Sequence, residues 1–299
     1  MKSLITGATG FIGQPLCREL AEKGHELLVV SRSPDRARAK LPEGTEIRAG
    51  VADFIDAAPE AVINLAGEPI AEGRWTDAKK RRIVESRVGT TRAIVALCGQ
   101  LETPPTVLVS ASAMGYYGDQ GDREVTEETA PNHEFVHEIC DRWETEARKA
   151  ESRGVRVAIA RIGLVLDQGG GMLAKTLTPF KLGVGGRLGD GRQYMPWIHR
   201  DDMVRVLIFL LEHDEASGSF NASAPNPVTN AEFTQALANQ LNRPAVLPAP
   251  AIALKIAFGE MSRLLLTGAK MLPKRLADAG FEFRYPTLQS GLAQILDGD

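Results

Sequence analysis

Seven residues near the start of the chain, Gly7-Ala8-Thr9-Gly10-Phe11-Ile12-Gly13, carry the clearest chemistry in the sequence. They follow a short apolar run and open a helix-like segment, so the glycines fall at a strand–turn–helix junction. Each glycine has a task there: a tight turn, close approach of backbone to a pyrophosphate, and close helix–sheet packing. The amides and dipole at the helix start then face the phosphates of a dinucleotide. Gly7, Thr9, Gly10, Phe11, Ile12 and Gly13 are therefore the expected cofactor turn.

The end of the second strand chooses between the two nicotinamide cofactors. An NAD site usually places a carboxylate there for the ribose 2′-hydroxyl. This chain reads Val29-Val30-Ser31-Arg32-Ser33, with no acid before Asp35. Ser31 can hydrogen-bond a 2′-phosphate and Arg32 can pair with its charge, so NADP is the expected cofactor. The competing reading makes Arg32 a surface arginine beside a loop.

The elements that must position these residues follow from the apolar pattern. Strands are expected at Ser3–Thr6, Glu26–Ser31, Thr45–Arg48, Ala61–Leu65, Thr106–Ser110 and Val155–Arg161. Several are continuous apolar runs, as in strands buried on both faces of a parallel sheet. Helices are expected between them at Ile12–Lys23, Trp75–Cys98 and Glu134–Ser152. The alternation predicts an α/β fold, a doubly wound Rossmann-type parallel sheet spanning residues 1–162. Beyond it, glycine-rich loops at 169–171 and 183–191 and shorter helices predict a smaller, mainly helical substrate lobe over 163–299. Strands such as Ser219–Ala222 would be shared with the first domain.

Composition narrows the class further. The chain has 299 residues, 43% hydrophobic and 24% charged, which is ordinary for a globular protein. A net charge of −3 gives no electrostatic reason to expect nucleic acid, and the basic runs at 36–40 and 79–82 read as solvated faces. Cys17, Cys98 and Cys140 form no CxxC pair, which argues against disulfides and zinc and for a reducing cytoplasm. Glycines interrupt the apolar N-terminus, and Lys255, Glu260 and Arg263 interrupt the apolar stretch 250–266. No signal peptide or membrane span is expected, and 250–266 reads as an amphipathic helix. A small-molecule substrate is the expected partner, and a homodimer is allowed.

These residues carry a likeness. Thr6–Gly13 with Asn64-Leu65-Ala66-Gly67 resembles the extended short-chain dehydrogenase/reductase superfamily. Ser86-Arg87, Gly115-Tyr-Tyr-Gly118, Arg161-Ile-Gly-Leu-Val-Leu, Gly189–His199 and Leu272-Pro-Lys-Arg275 narrow it. Together they resemble the epimerase family branch of YfcH-like proteins and short-chain dehydrogenase/reductase family 39U, over essentially the whole chain. The resemblance implies that Ser31 and Arg32 hold the 2′-phosphate, that Leu65 and Ala66 line the ribose beside Gly67, and that Arg87 reaches back towards the cofactor phosphates.

The superfamily's proton-transfer pattern is a serine or threonine followed by Tyr-x-x-x-Lys on a helix. There the lysine lowers the phenol pKa and holds the ribose. No Tyr-x-x-x-Lys occurs in this chain; the corresponding helix places Val136 and Cys140 at the two positions. Substitutes are Ser112, as a retained hydroxyl donor or a loop serine, and Tyr116 or Tyr117, as a phenol from another backbone position or a packing residue. His137 reads as structural, Cys140 as core, and Trp197 and His199 as candidates to face the substrate cleft. Arg187 and Arg192 would suit an anionic substrate. Two functions stay open: an NADP(H)-binding epimerase or oxidoreductase acting on a polar carbonyl or nucleotide-sugar-type substrate, or a catalytically quiet NADP(H)-binding sensor.

Overall fold

The structure, a computed structural model, describes residues 1–297. Seven strands form the main sheet: β1 (Lys2–Thr6), β2 (Glu26–Val30), β3 (Glu46–Arg48), β4 (Ala61–Asn64), β5 (Val107–Ala113), β6 (Arg156–Ile162) and β7 (Gly218–Ala222). Their order is β7-β6-β5-β4-β1-β2-β3, and every neighbouring pair is parallel. The order reverses between β1 and β4. In such sheets ligands lie outside the carboxyl ends of the strands at that reversal.

Eleven helices complete the fold among the described residues: α1 (Gly13–Glu22), α2 (Pro34–Arg38), α3 (Asp77–Gln100), α4 (Phe135–Arg148), α5 (Gly171–Lys181), α6 (Arg200–Glu212), α7 (Asn230–Leu241), α8 (Ala251–Phe258), α9 (Arg263–Leu266), α10 (Lys274–Asp278) and α11 (Leu288–Asp297). One face of the sheet packs Ile5, Val29, Ile63 and Val109 against Leu16 and Leu20 of α1 and Val206, Leu207 and Leu210 of α6. The opposite face packs Leu4, Leu28, Val62 and Leu108 against Ile94 and Leu97 of α3 and Ala147 of α4. Alternate residues of each strand thus serve different helical layers, which is why the strands read as unbroken apolar runs. This is the doubly wound Rossmann-type fold. A separate core of Leu173, Phe180, Trp197, Phe233, Leu237, Leu288 and Leu292 knits α5, α7 and α11 together beyond the sheet.

Two expectations change. The stretch 250–266 is not one helix: it breaks at Gly259, whose φ of +60° takes the chain out of α8. No residue of α8 is buried, so that helix has no amphipathic inner face in the chain. The basic run 79–82 is not simply solvated. Lys79 is buried on Glu68, Arg82 pairs with the same carboxylate, and Lys80 reaches Glu260. The other run behaves as expected, with Arg36, Arg38 and Lys40 exposed. All three cysteines are buried and free, and burial pushes Cys17 to about 12 and Cys98 to about 11. Among the described residues no helix is long and apolar enough to cross a membrane, and no cluster of side chains could hold a metal ion.

Candidate functional site

The cofactor turn lies at the exit of β1, where backbone meets backbone. Gly7 has a φ of +71°, and a Cβ there would fall 2.6 Å from the Leu65 carbonyl oxygen at the exit of β4. A Cβ on Gly13 would fall 2.3 Å from the Gly7 carbonyl oxygen. The first constraint holds the turn against β4, and the second seats α1 on the turn. Gly10 is exposed and its amide closes the turn on the Gly7 carbonyl at 3.0 Å. Thr9 accepts from the Gln14 side chain through its carbonyl, and no side chain caps α1. The Phe11, Ile12 and Gly13 amides accordingly have no acceptor among the described residues. With no acid in the first turn, this helix start is free to take an anion. Phe11 lies against Gly170 and Gly171, where a Cβ on Gly170 would meet its ring at 2.6 Å.

The β4 exit is held by buried hydroxyls and an amide. Thr6 donates to Asn64 at 2.7 Å, and Asn64 donates to Thr91 of α3 at 2.8 Å. Thr6 also accepts from the Ala66 amide. Leu65, Ala66 and Gly67 are therefore fixed directly beside the glycine turn. At the β2 exit, Arg32 is exposed with no ion pair among the described residues, and the partly buried Ser31 accepts from the Ser33 amide. These residues fit a phosphorylated dinucleotide: open amides at the helix start, a turn whose glycines the backbone contacts require, and an arginine with no ion pair among the described residues where a carboxylate would otherwise stand.

Arg87 lies at the β4 exit, beside Gly67. It lies against Gly67 and the ring of Trp143 on α4, and its Nη1 donates to the Ile83 and Glu68 carbonyls. Burial holds its guanidinium below the usual arginine range.

Beyond β5 the structure brings together residues that the sequence leaves scattered. Arg161 on β6 is 3% exposed and Glu144 on α4 is 4% exposed. They form two parallel bonds of 2.9 Å, Nε to Oε1 and Nη2 to Oε2. Burial pulls the Arg161 guanidinium down, but the Glu144 bonds and charge outweigh it and hold it above its usual range. Ser112 donates to Glu144 Oε1 at 2.7 Å, so its hydroxyl is turned into this network. Arg161 also donates to the Tyr117 hydroxyl, which donates to Asn221 at 2.6 Å. Tyr117 is fully buried, and burial pushes its phenol to about 12. Tyr117 is structural.

Tyr116 differs. Its ring lies on the Arg161 guanidinium, with Cζ 3.4 Å from the centroid, and it meets His137 and Tyr117 edge-on. It is only partly buried, and its hydroxyl has no partner among the described residues. His137 is buried and bonds the Tyr116 carbonyl through Nδ1 at 2.7 Å, which fixes this backbone. The α4 face that lacks the tyrosine and lysine is closed over. A Cβ on Gly115 would lie 3.1 Å from Val136 and 3.7 Å from Cys140 Sγ, and Met261 and Leu264 pack into the cluster containing Val136. Cys140 is buried and pushed to about 12.

The remaining candidates disperse. Trp197 is fully buried and donates to the Asn226 carbonyl. His199 is 1% exposed, caps α6 through Nδ1, and donates from Nε2 to Gln294 at 2.7 Å. Neither faces a cleft; both anchor the region around α11. Asp202 likewise accepts from the Arg284 and Tyr285 amides, both at 2.9 Å. Arg187 and Arg192 are exposed and form no ion pair among the described residues. Sequence reasoning assigned no role to Glu144 or Arg161. The available signal was an arginine near the end of an apolar interior strand, which burial obliges to find a carboxylate.

Comparison with known proteins places this geometry. The NAD dependent epimerase/dehydratase family matches residues 3–223. The chain belongs to that family. A domain of unknown function matches residues 249–295, the segment that carries α8 and folds over Val136. The chain is 39% identical over 299 residues to an Arabidopsis thaliana chloroplastic SDR39U1 homolog, covering 98% of this chain and 86% of that protein. It is 35% identical to the Mus musculus epimerase family protein SDR39U1, covering 99% and 100%. The crystal structure of human epimerase family protein SDR39U1 (isoform 2) with NADPH superposes with a TM-score of 0.90 at 31% identity, covering both chains completely.

Proposed function

We propose that the chain is an NADP(H)-dependent oxidoreductase or epimerase whose proton-exchanging group is Tyr116. Its substrate is a polar carbonyl or nucleotide-sugar-type compound. The Phe11, Ile12 and Gly13 amides hold the pyrophosphate, Ser31 and Arg32 take the 2′-phosphate, and Leu65, Ala66 and Gly67 flank the ribose. The NADPH-bound human relative and the free Arg32 support this choice of cofactor. When bound, the nicotinamide supplies hydride exchange.

The observation that carries the catalytic reading is the Tyr116 phenol, unpartnered at the carboxyl end of the sheet with its ring fixed on a buried cation. A fixed ring with a free hydroxyl can polarise a substrate oxygen and pass it a proton. Ser112 is a positioning residue in this scheme: it holds Glu144, Glu144 holds Arg161, and Arg161 carries Tyr116. Buried free thiols suit a reducing cytoplasm. The test is to offer NADPH-loaded protein a panel of carbonyl compounds, and protein loaded with oxidised NADP, which can accept hydride from a sugar hydroxyl carbon, a panel of sugar nucleotides. NADPH oxidation or epimer formation that disappears in Tyr116→Phe supports the proposal.

One observation favours a second reading, a quiet NADP(H)-binding sensor. Val136 and Cys140 are packed under Met261 and Gly115, and Ser112 is committed to Glu144. Tight NADPH binding with no turnover across the panel selects that reading.

A further inference from the structure

Seven of the nine large apolar side chains that stand exposed among the described residues lie in two stretches, 182–184 and 246–258. The two stretches are neighbours in space. Arg243 Nε donates to the Lys181 carbonyl at 3.1 Å, and a Cβ on Gly183 would lie 3.6 Å from Pro244. The Ala249 amide donates to the Arg187 carbonyl, and the Gly189 amide donates to the Ala249 carbonyl, both at 2.9 Å. Leu182, Val184, Val246 and Leu247 therefore lie along one strip of paired backbone, which α8 continues with Ile252, Ile256 and Phe258. Arg74 ties down the far end of α8 by donating to the Ile256 and Ala257 carbonyls. The apolar side chains are thus exposed on backbone that is held in place.

The charge around this strip has one sign. Residues 171–189 and 243–259 contain Lys175, Lys181, Arg187, Arg243 and Lys255 but no aspartate or glutamate, in a chain whose net charge is −3. All five cations are exposed, and none forms an ion pair among the described residues. Glu260, the first acid beyond α8, is taken by Lys80 at 2.6 Å. A second copy of the chain would bring these like charges together. A peptide helix would need a groove, whereas α8 is a ridge with no buried residue. Aliphatic side chains set among unpaired cations suit an anionic lipid surface, where the former enter the acyl boundary and the latter meet headgroup phosphates. We propose that α8 and the strip beside it dock the protein on a bilayer containing anionic phospholipid, without a spanning segment. The inference rests on neither the cofactor nor Tyr116.

The test is co-sedimentation of the full chain with vesicles of phosphatidylcholine, and with vesicles of phosphatidylcholine mixed with phosphatidylglycerol. Binding to the mixed vesicles alone, weakened by added salt, is the expected result. One lysine near an anionic surface is worth about fivefold in partitioning, so Lys181→Gln with Lys255→Gln should lower binding roughly twenty- to thirtyfold. Ile252→Ser with Ile256→Ser should lower it at least about tenfold at unchanged charge. All four side chains are exposed, so the thermal midpoint and NADPH affinity of both variants should match wild type, which separates lost docking from a lost fold. Absence of binding to either vesicle, equal binding to both, or binding that either variant leaves unchanged overturns the proposal. After such a result, a dimer in sedimentation velocity that Ile256→Asp dissociates would give the surface to a second copy. Binding of an acidic amphipathic peptide in place of vesicles would give it to a protein partner.

Discussion

Replacing Glu144 by glutamine keeps the shape of the side chain and removes its charge from under Arg161. The carboxylate accepts from Arg161 twice at 2.9 Å, from Ser112 at 2.7 Å and from Ser219 at 3.2 Å. The amide of Glu144→Gln would present a donor to at least one of those donors. It would also leave a guanidinium that is 3% exposed without its partner. Breaking one side of a buried ion pair costs about 3–5 kcal/mol. Unfolding entropy near 60 °C is about 2.1 cal/mol/K per residue, or roughly 0.6 kcal/mol per degree for this chain. The expected fall in thermal midpoint is therefore about 5–8 °C. Calorimetry on Glu144→Gln, Arg161→Met and the double variant measures it. The double variant should be less destabilised than the two single losses together, because it leaves no buried charge unpaired. A Glu144→Gln midpoint within about 1 °C of wild type, or single losses that simply add, would refute the reasoning.

Three further outcomes are expected. Arg32→Ala should weaken NADPH by roughly tenfold while leaving NADH unchanged, because the contact proposed for that side chain is with the 2′-phosphate alone; thermal shifts with both cofactors check it, and equal loss for both contradicts it. Gly13→Ala places a Cβ 2.3 Å from the Gly7 carbonyl oxygen. It should destabilise by about 1–3 kcal/mol and abolish NADPH binding, whereas Gly24→Ala, with open space around it, should leave binding intact in the same titration. Burial pushes the His199 imidazole below its usual range despite Asp201 nearby. The unfolded chain then binds a proton that the native ring resists, so stability is full above about pH 6.5 and falls as pH drops. His199→Asn, which can still cap α6, should flatten that fall in midpoint-versus-pH curves; an unchanged slope refutes the assignment.

Much of the fold was legible because its strands are buried on both faces and its phosphate turn is forced by backbone contacts. Ile5, Ile63 and Val109 serve one helical layer while Leu4, Val62 and Leu108 serve the other, and both readings produce the same apolar runs. The need for glycine at Gly7 and Gly13 was legible for the same kind of reason, since the contacts that require it are with near neighbours in the motif and with the β4 exit. The site beyond β5 was not legible. Its organising pair, Glu144 and Arg161, is 17 residues apart and lies on a helix and a strand whose facing sides no local pattern specifies. Ser112 stayed open between a hydroxyl donor and a loop serine because the sequence does not show which face of β5 meets α4. Trp197 and His199 looked like cleft residues because their partners, Asn226 and Gln294, lie up to 95 residues away. The break at Gly259 was hidden by the apolar residues on both sides of it.

The central claim is that the phosphate turn serves chemistry performed through Tyr116. The most direct measurement is NADPH affinity and turnover side by side for wild type and Tyr116→Phe, on whichever substrate the panel yields. The expected result is an unchanged NADPH Kd and a kcat lowered about a hundredfold or more, the usual worth of a positioned proton donor. A Tyr116→Phe variant that turns over as fast as wild type would contradict it.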